Sequence, residues 1–307
     1  MTAQTAPGSW PIIGHRSVVD ALTRAVRTDH LAHAYLIAGP EGVGRHRLAG
    51  VFAQALVCTA PITERPCGRC AACRRAERGT HPDITGLSLA TQAAESSRTD
   101  AKHTRVSIET VRALRETITL RPLEASRRIA ILEDVARFSR DAYDALLKTL
   151  EEPPPFVVLV LIAGEIDAVP ETIRSRCHII TLEPLPRTEI INALTARGAN
   201  PEQANLIAAV AHGRIGNALT LYADPDALAA QRQLAASGLT MIEDPLAALG
   251  AARRLADTFR RGQRETVREQ LDVLLGLWRD LTLLAGDCRD LAVNVDMVDR
   301  LAPLATT

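Results

Sequence analysis

At 307 residues the chain is longer than one ordinary domain, so two or three are expected. Its 47% apolar content supplies sizeable cores, and a formal net charge of zero removes the bulk electrostatic case for a nucleic-acid binder, leaving only a local basic patch. No run approaches about 18 uninterrupted apolar residues, so no membrane span is predicted, and the segment Met1 to Trp10 lacks the basic and apolar parts of a secretory signal, which makes the cytoplasm the expected compartment.

In chain order, Ile12-Ile13-Gly14 reads as an extended entry, and Ser17 to Arg27 as a helix capped by Ser17. Ala34 to Ala38 (A-Y-L-I-A) is a short buried strand. It runs into the glycine-rich turn Gly39-Pro-Glu-Gly-Val-Gly44-Arg45-His46, and Arg47 to Leu56 reads as a helix behind it. Residues 67–78 continue with helical composition, Ile84 to Leu89 reads as a strand, and Thr91 to His103 is polar and aperiodic and is predicted to be a loop. A helix is predicted from Ile108 to Leu120, a strand from Arg128 to Leu132 ending in Glu133-Asp134, and a helix from Asp141 to Leu150 stopped by Pro153-Pro154-Pro155. Val157 to Ala163 is almost wholly apolar, as in a parallel sheet covered on both faces, and after a short segment from Pro170 to Arg176 a last strand runs from His178 to Leu182.

Strands alternating with helices predict a parallel α/β sheet with ligand sites at the strand C-terminal ends. After Leu182 the strands stop. Glu183-Pro184-Leu185-Pro186 reads as a linker, followed by helical patterns at about 187–197, 202–212 and 216–223. Beyond Asp224-Pro225 the chain is again helical, most clearly from Gln263 to Leu284. The expected division is 1–183, 184–223 and 224–307.

Strand, G-x-x-x-x-G and helix in succession are the layout of a P-loop, in which backbone N–H groups and a helix N-terminus hold phosphate. The two residues that carry the chemistry differ here. Arg45 stands at the lysine position, and His46 stands where a Ser or Thr hydroxyl would bind magnesium. Losing both contacts costs roughly 3–6 kcal/mol of nucleotide affinity, of which Arg45 recovers only part, being bulkier than lysine. ATP binding is therefore not expected at Gly39, Gly44, Arg45 and His46.

Four of the six cysteines fall in one stretch, Cys58, Cys67, Cys70 and Cys73. Such clustering without a signal peptide argues for metal, and two-residue gaps let neighbouring thiolates turn toward one tetrahedral zinc, with Gly68 relaxing the turn so that Cys67 swings in. Four thiolates leave no position open for water, so the zinc would be structural. The plain alternative is four reduced thiols without metal. Cys177 and Cys288 read as isolated, buried small apolar residues.

The order of motifs resembles the bacterial clamp-loader AAA+ subunits. His33-Ala34-Tyr35-Leu36 with Gly39-Pro40, the run Ala145-Leu-Leu-Lys-Thr-Leu-Glu-Glu-Pro-Pro154, the segment Thr172-Ile-Arg-Ser-Arg-Cys177 and the cysteine cluster are each similar to a family motif, from about Ile12 to Tyr222. The resemblance implies an AAA+ α/β domain at 1–183 with an inserted zinc module at 58–73, a small helical lid at 184–223 and a helical collar at 224–307. It also implies gamma/tau and delta subunits as partners, with the sliding clamp and primed DNA as indirect ones.

The departures agree with the family's non-hydrolysing delta prime branch: Arg45-His46 in the Walker A turn, Glu133-Asp134 in reversed Walker B order, Ala163 at the first-sensor position, and Gly216 where G-x-x-R places its arginine. The alternative is a gamma/tau-like ATPase with an atypical P-loop. From residues alone, Arg176 is a surface arginine at a helix end. The resemblance gives it the role of an arginine finger acting in trans in a neighbouring subunit's ATP site. Glu133 and Asp134 read as a solvated strand-end pair, His81-Pro82-Asp83 as a structural turn, and Lys148 with Glu151-Glu152 as a capped helix end.

Overall fold

The structure is a computed structural model that describes residues 8–95, 104–294 and 297–305. The chain divides into two compact units between Glu183 and Pro184.

The first unit is built on a five-stranded, wholly parallel sheet. Its strands are β1 (Ala34–Ala38), β2 (Ile84–Leu87), β3 (Arg128–Leu132), β4 (Val157–Ala163) and β5 (His178–Thr181), in the order β2-β3-β4-β1-β5. β1 lies between β4 and β5, with Ala34 opposite Leu159 and Tyr35 opposite His178. All residues of β1 and β4 are buried, which explains their unbroken apolar sequence.

Alternation splits the side chains between two cores. Tyr35 and Ile37 face α1 (Arg16–Thr28), α2 (Arg45–Val57) and α3 (Ala71–Glu77), whereas Ala34 and Leu36 face the side covered by later helices. On the first face Phe52 is fully buried, stacked on Trp10 at 6.1 Å and edge-on to Tyr35 at 4.9 Å. Truncating such a ring costs about 3–5 kcal/mol.

A helix α4 (Leu89–Glu95) forms where the polar composition predicts a loop. Ser88 and Thr91 cap it reciprocally, the Thr91 N–H donating to Ser88 Oγ and the Ser88 N–H to Thr91 Oγ1. Gln92 is buried there, accepting from the Ser107 N–H and donating to the Arg105 carbonyl. Three-dimensional partners thus give this polar stretch its structure; the rest of the predicted loop, 96–103, lies outside the described residues. The second face is covered by α5 (Ile108–Thr119), α6 (Arg140–Glu151) and the short α7 (Glu171–Arg174), with Ser107 and Ser139 capping the two longer helices.

The second unit is helical throughout its described residues: α8 (Arg187–Thr195), α9 (Pro201–Val210), α10 (Ile215–Ala223), α11 (Pro225–Glu243), α12 (Pro245–Arg260), α13 (Arg264–Ala285) and α14 (Val298–Leu304), with one 3-10 turn at Arg289–Leu291. Three of these helices start at an Asx-Pro pair. Asn200, Asp224 and Asp244 each accept backbone N–H groups of the first turn, and the following proline occupies the position where a missing N–H is harmless. Where α11 meets α13, a side chain added at Gly238 would lie 2.8 Å from Leu277 Cδ1, so glycine permits the close approach. Asp280 is fully buried on α13 and accepts from the backbone N–H groups of Val293 and Asn294 and from the Asn294 side chain. It pins the segment after α13 onto the helix. Cys288 lies in that segment and is exposed, contrary to the expectation of burial, because the chain has already left α13 and its thiol donates to the Gly286 carbonyl at the surface.

Candidate metal centre and glycine turn

Helix α2 carries a candidate site at each end. At its start the chain leaves β1 and turns at Gly39, whose φ is 151° and where a Cβ would lie 2.3 Å from the Leu182 carbonyl oxygen. Only glycine fits between the end of β1 and the residue after β5. Gly44 caps α2 without a side-chain hydrogen bond, and no acidic residue sits in the first turn. The backbone of an anion-binding helix N-terminus is therefore retained.

The side chains do not complete it. Arg45 is only 6% exposed, its Nη1 has no hydrogen-bond partner, and a side chain at Gly164, just after β4, would meet that atom at 3.7 Å. The guanidinium is folded beneath the turn toward the end of β4. Burial lowers its pKa from the ordinary arginine value, with the carboxylates of Asp134 and Glu41 acting in the opposite direction. His46 points outward, its Nε2 4.0 Å from a Glu133 carboxylate oxygen. The acidic residue at the end of β3 thus faces an imidazole. Its neighbour Asp134 has a left-handed backbone (φ 48°) and opens a 3-10 turn. Ala163 ends β4 and offers no side-chain donor, and Gly216 lies in the first turn of α10.

At the other end, Cys58 terminates α2. The four sulfurs of Cys58, Cys67, Cys70 and Cys73 lie within 4.8 Å of one another, with Cys58–Cys70 at 4.0 Å and Cys67–Cys73 at 3.9 Å. Four thiolates about 2.3 Å from a tetrahedral ion would stand roughly 3.8 Å apart, so the observed spacing matches the donor set of a metal such as zinc. The helix begins later than the composition predicts. Cys67 and Cys70 occupy a turn before α3, with Gly68 at φ 69°, and Cys70 caps the helix by accepting the Cys73 N–H on its sulfur. The Cys67 N–H likewise points to the Cys58 sulfur and the Cys70 N–H to that of Cys67. These donors stabilise thiolate charge. Burial works against that charge at Cys70, yet hydrogen bonds from Thr59 and Cys73 hold its pKa down to about 6, whereas burial raises those of Cys58 and Cys73.

The turn after α3 ties this module to the sheet. Arg75 forms a two-point pair with Glu124, and the Glu124 N–H donates to Asp83. Asp83 is fully buried and accepts from the N–H groups of Leu123, Glu124 and Ala125 at 2.6–2.8 Å, with buried Arg128 at 3.5 Å. Burial alone would raise its pKa, but those three N–H groups and Arg128 hold it below the usual carboxylate range. His81 is buried as well and accepts the Asp83 N–H on Nδ1. Sequence reasoning reads a turn here and misses the carboxylate. An acidic residue immediately before an apolar strand was the available signal.

Arg176 follows α7, half exposed. Its Nη2 donates to Glu151 Oε1 at 2.8 Å and its Nη1 to the Thr172 carbonyl at 2.9 Å. Glu151 belongs to the Ala145–Pro154 run, so the two motifs meet through this pair, a connection the sequence does not reveal. Exposed pairs of this kind are worth only about 0–1 kcal/mol, so Glu151 itself holds the guanidinium weakly. Cys177 beside it is half-buried among apolar residues, and burial pushes its thiol up to about 12.

Residues 14–186, more than half of the chain, match the family described as DNA polymerase III, delta subunit. The chain belongs to this DNA polymerase III subunit family. Curated relatives agree. The DNA polymerase III subunit gamma of Buchnera aphidicola subsp. Schizaphis graminum is 31% identical over 68% of this chain and 56% of its own length. The Escherichia coli subunit tau is 31% identical over 68% of this chain and 32% of its own length. The Bacillus subtilis subunit delta' is 30% identical over 62% of this chain and 54% of its own length. The chain thus spans between about a third and a little over half of the length of the first curated relatives it matches. The family match ends within the start of the helical unit, and both ends of α2 and Arg176 fall inside it. No described helix is long and apolar enough to cross a membrane.

Proposed function

We propose that the chain is a non-hydrolysing, delta prime-like subunit of the DNA polymerase III clamp loader, which loads the sliding clamp onto primed DNA. The observation that carries this reading is the placement of Arg45 and His46. The residue at the lysine position is buried beneath the turn, with its Nη1 near Gly164 and without a hydrogen-bond partner, and the residue at the hydroxyl position faces Glu133. Neither is arranged to hold a nucleotide phosphate with its magnesium. In this reading, residues 1–183 form the AAA+ domain with its zinc module at 58–73, 184–223 the lid and 224–307 the collar. Leu271, Leu275 and Trp278 stand exposed on one side of α13, an apolar stripe suited to a collar packing against gamma/tau and delta subunits. Zinc held by Cys58, Cys67, Cys70 and Cys73 is structural: four sulfur donors close its coordination and staple the end of α2 to α3.

Arg176 acts in trans. It leaves Glu151 and stabilises the charge that builds on the phosphoryl group in an adjacent ATPase subunit, an effect worth roughly 10³–10⁵ in rate for such fingers. The test mixes the full chain with gamma/tau and delta subunits, with and without Arg176→Ala. The expected outcome is intact assembly with a strongly reduced DNA- and clamp-stimulated ATPase. Unchanged ATPase rejects the finger. The rival reading, a gamma/tau-like ATPase with an atypical P-loop, draws on the retained backbone of the α2 N-terminus, and it requires ATP turnover by the isolated chain that depends on Arg45.

A further inference from the structure

β5 is an edge strand, and no described strand pairs with its outer side. Within the parallel register the Leu182 N–H donates to the Ala38 carbonyl at 2.8 Å, so strand alternation turns the N–H and C=O of Ile179 and Thr181 outward, away from β1. Ile179 is 42% exposed. Edges are usually blunted by brevity, proline, lysine or a bulge, and His178-Ile179-Ile180-Thr181, though only four residues long, carries no proline, lysine or bulge.

Alongside this edge runs a groove of about 480 Å³ between α1 and β5. Val18, Ala25 and Ile180 give it an apolar floor, Arg24, His30 and His178 line it with nitrogen donors, and no carboxylate is among its lining residues. Arg24 is exposed and forms no ion pair among the described residues. A strand with unpaired backbone groups beside a partly apolar groove is the arrangement used for strand addition, in which main-chain hydrogen bonds give affinity and side-chain pockets give specificity. Arg24 is the one lining residue with a fixed charge, and a carboxylate is the group that complements it.

We propose that the β5 edge receives an extended, acidic segment of a partner protein as a sixth strand, its backbone on Ile179 and Thr181, an apolar side chain in the groove and a carboxylate on Arg24. This surface shares no residue with the glycine turn, the cysteine cluster or Arg176.

The test titrates the full chain with a blocked hexapeptide of valine and glutamate and with the same peptide carrying lysine in place of glutamate. The glutamate peptide should bind at least roughly tenfold more tightly, Arg24→Glu should reverse that preference, and the Ile179 and Thr181 amides should gain protection from hydrogen exchange. Thr181→Pro removes one outward N–H while sparing the bonds to β1, and it should weaken binding by roughly tenfold or more. A peptide N-methylated along its pairing edge does the same without altering the protein, so the test stands even where the proline variant does not fold. Binding of neither peptide, equal binding of both, or binding unaffected by N-methylation overturns the proposal, as does self-association of the chain through this edge.

Discussion

The two ends of α2 make opposite use of one helix. At the glycine end the backbone is kept and the reactive side chains are exchanged. Gly39 still fits against Leu182 and the N-terminus of α2 is still uncapped, while Arg45 is buried and His46 faces Glu133. At the cysteine end the side chains form a complete donor set on a short, irregular turn. The difference shows what each site depends on. A phosphate turn is written mainly in glycines, which the strand-to-helix joint needs whatever the chemistry, so its outline does not depend on which side chains stand at positions 45 and 46. A thiolate site is written only in its ligands and would not persist as a pattern without them.

The largest expected effect lies at the cysteine end. Cys73→Ser, which removes a fully buried sulfur, should abolish metal binding and lower the thermal midpoint by roughly 15 °C, on the order of 5 kcal/mol for a unit of this size. Elemental analysis should find one zinc per chain in protein purified under reductant. A metal-free, fully folded sample would erase the contrast between the two ends.

Next comes the link that joins the cysteine module to the sheet. Asp83→Asn leaves Arg128 buried without its carboxylate and sets an amide NH2 against backbone N–H donors, so urea unfolding at neutral pH should show a loss of about 3–5 kcal/mol. The pKa of Asp83 is depressed in the folded state from its ordinary 3.8. Its contribution is therefore complete above that unfolded value and disappears as pH falls through the lower folded one. The gap between wild type and variant should close in that acid range, and a gap constant with pH would mean that the charge is not what matters.

At the glycine end the prediction is a gain. Replacing Arg45 by Lys and His46 by Thr together restores one charged contact and one hydroxyl, and should raise affinity for a magnesium nucleotide by up to roughly 3–6 kcal/mol, on the order of a hundredfold or more, in a calorimetric titration. A wild-type chain that already binds as tightly as the double variant would overturn the reading of the turn. The smallest effect is that of His46→Ala, which removes a long, half-exposed contact to Glu133 and should change unfolding stability by less than about 0.5 kcal/mol.

Much of this was legible from residue patterns because it rests on local rules. The apolar runs 34–38 and 157–163 form the central strands, Asp224-Pro225 marks a helix start, and the spacing of the four cysteines is reflected in their sulfur–sulfur distances. What escaped depends on partners distant in sequence. Leu89–Glu95 has the composition of a loop and becomes a helix because Gln92 is held by Arg105 and Ser107. Asp83 matters through three N–H groups some forty positions away, and Arg176 is held by Glu151 across the α6–α7 connection. Neither composition nor periodicity carries such pairings.

The position of β1 between β4 and β5 has a consequence for the growing chain. Domains fold from the N-terminus as they are synthesised, and parallel pairings between distant segments are slow to close. β1 leaves the ribosome well over a hundred residues before β4, its neighbour in the sheet, so Ala34–Ala38 must wait with its backbone unpaired. The cysteine turn and α3, by contrast, are complete within a few residues of one another and can set at once. A nascent chain should therefore present an early, cysteine-rich turn beside an apolar strand that stays unpaired until β4 arrives.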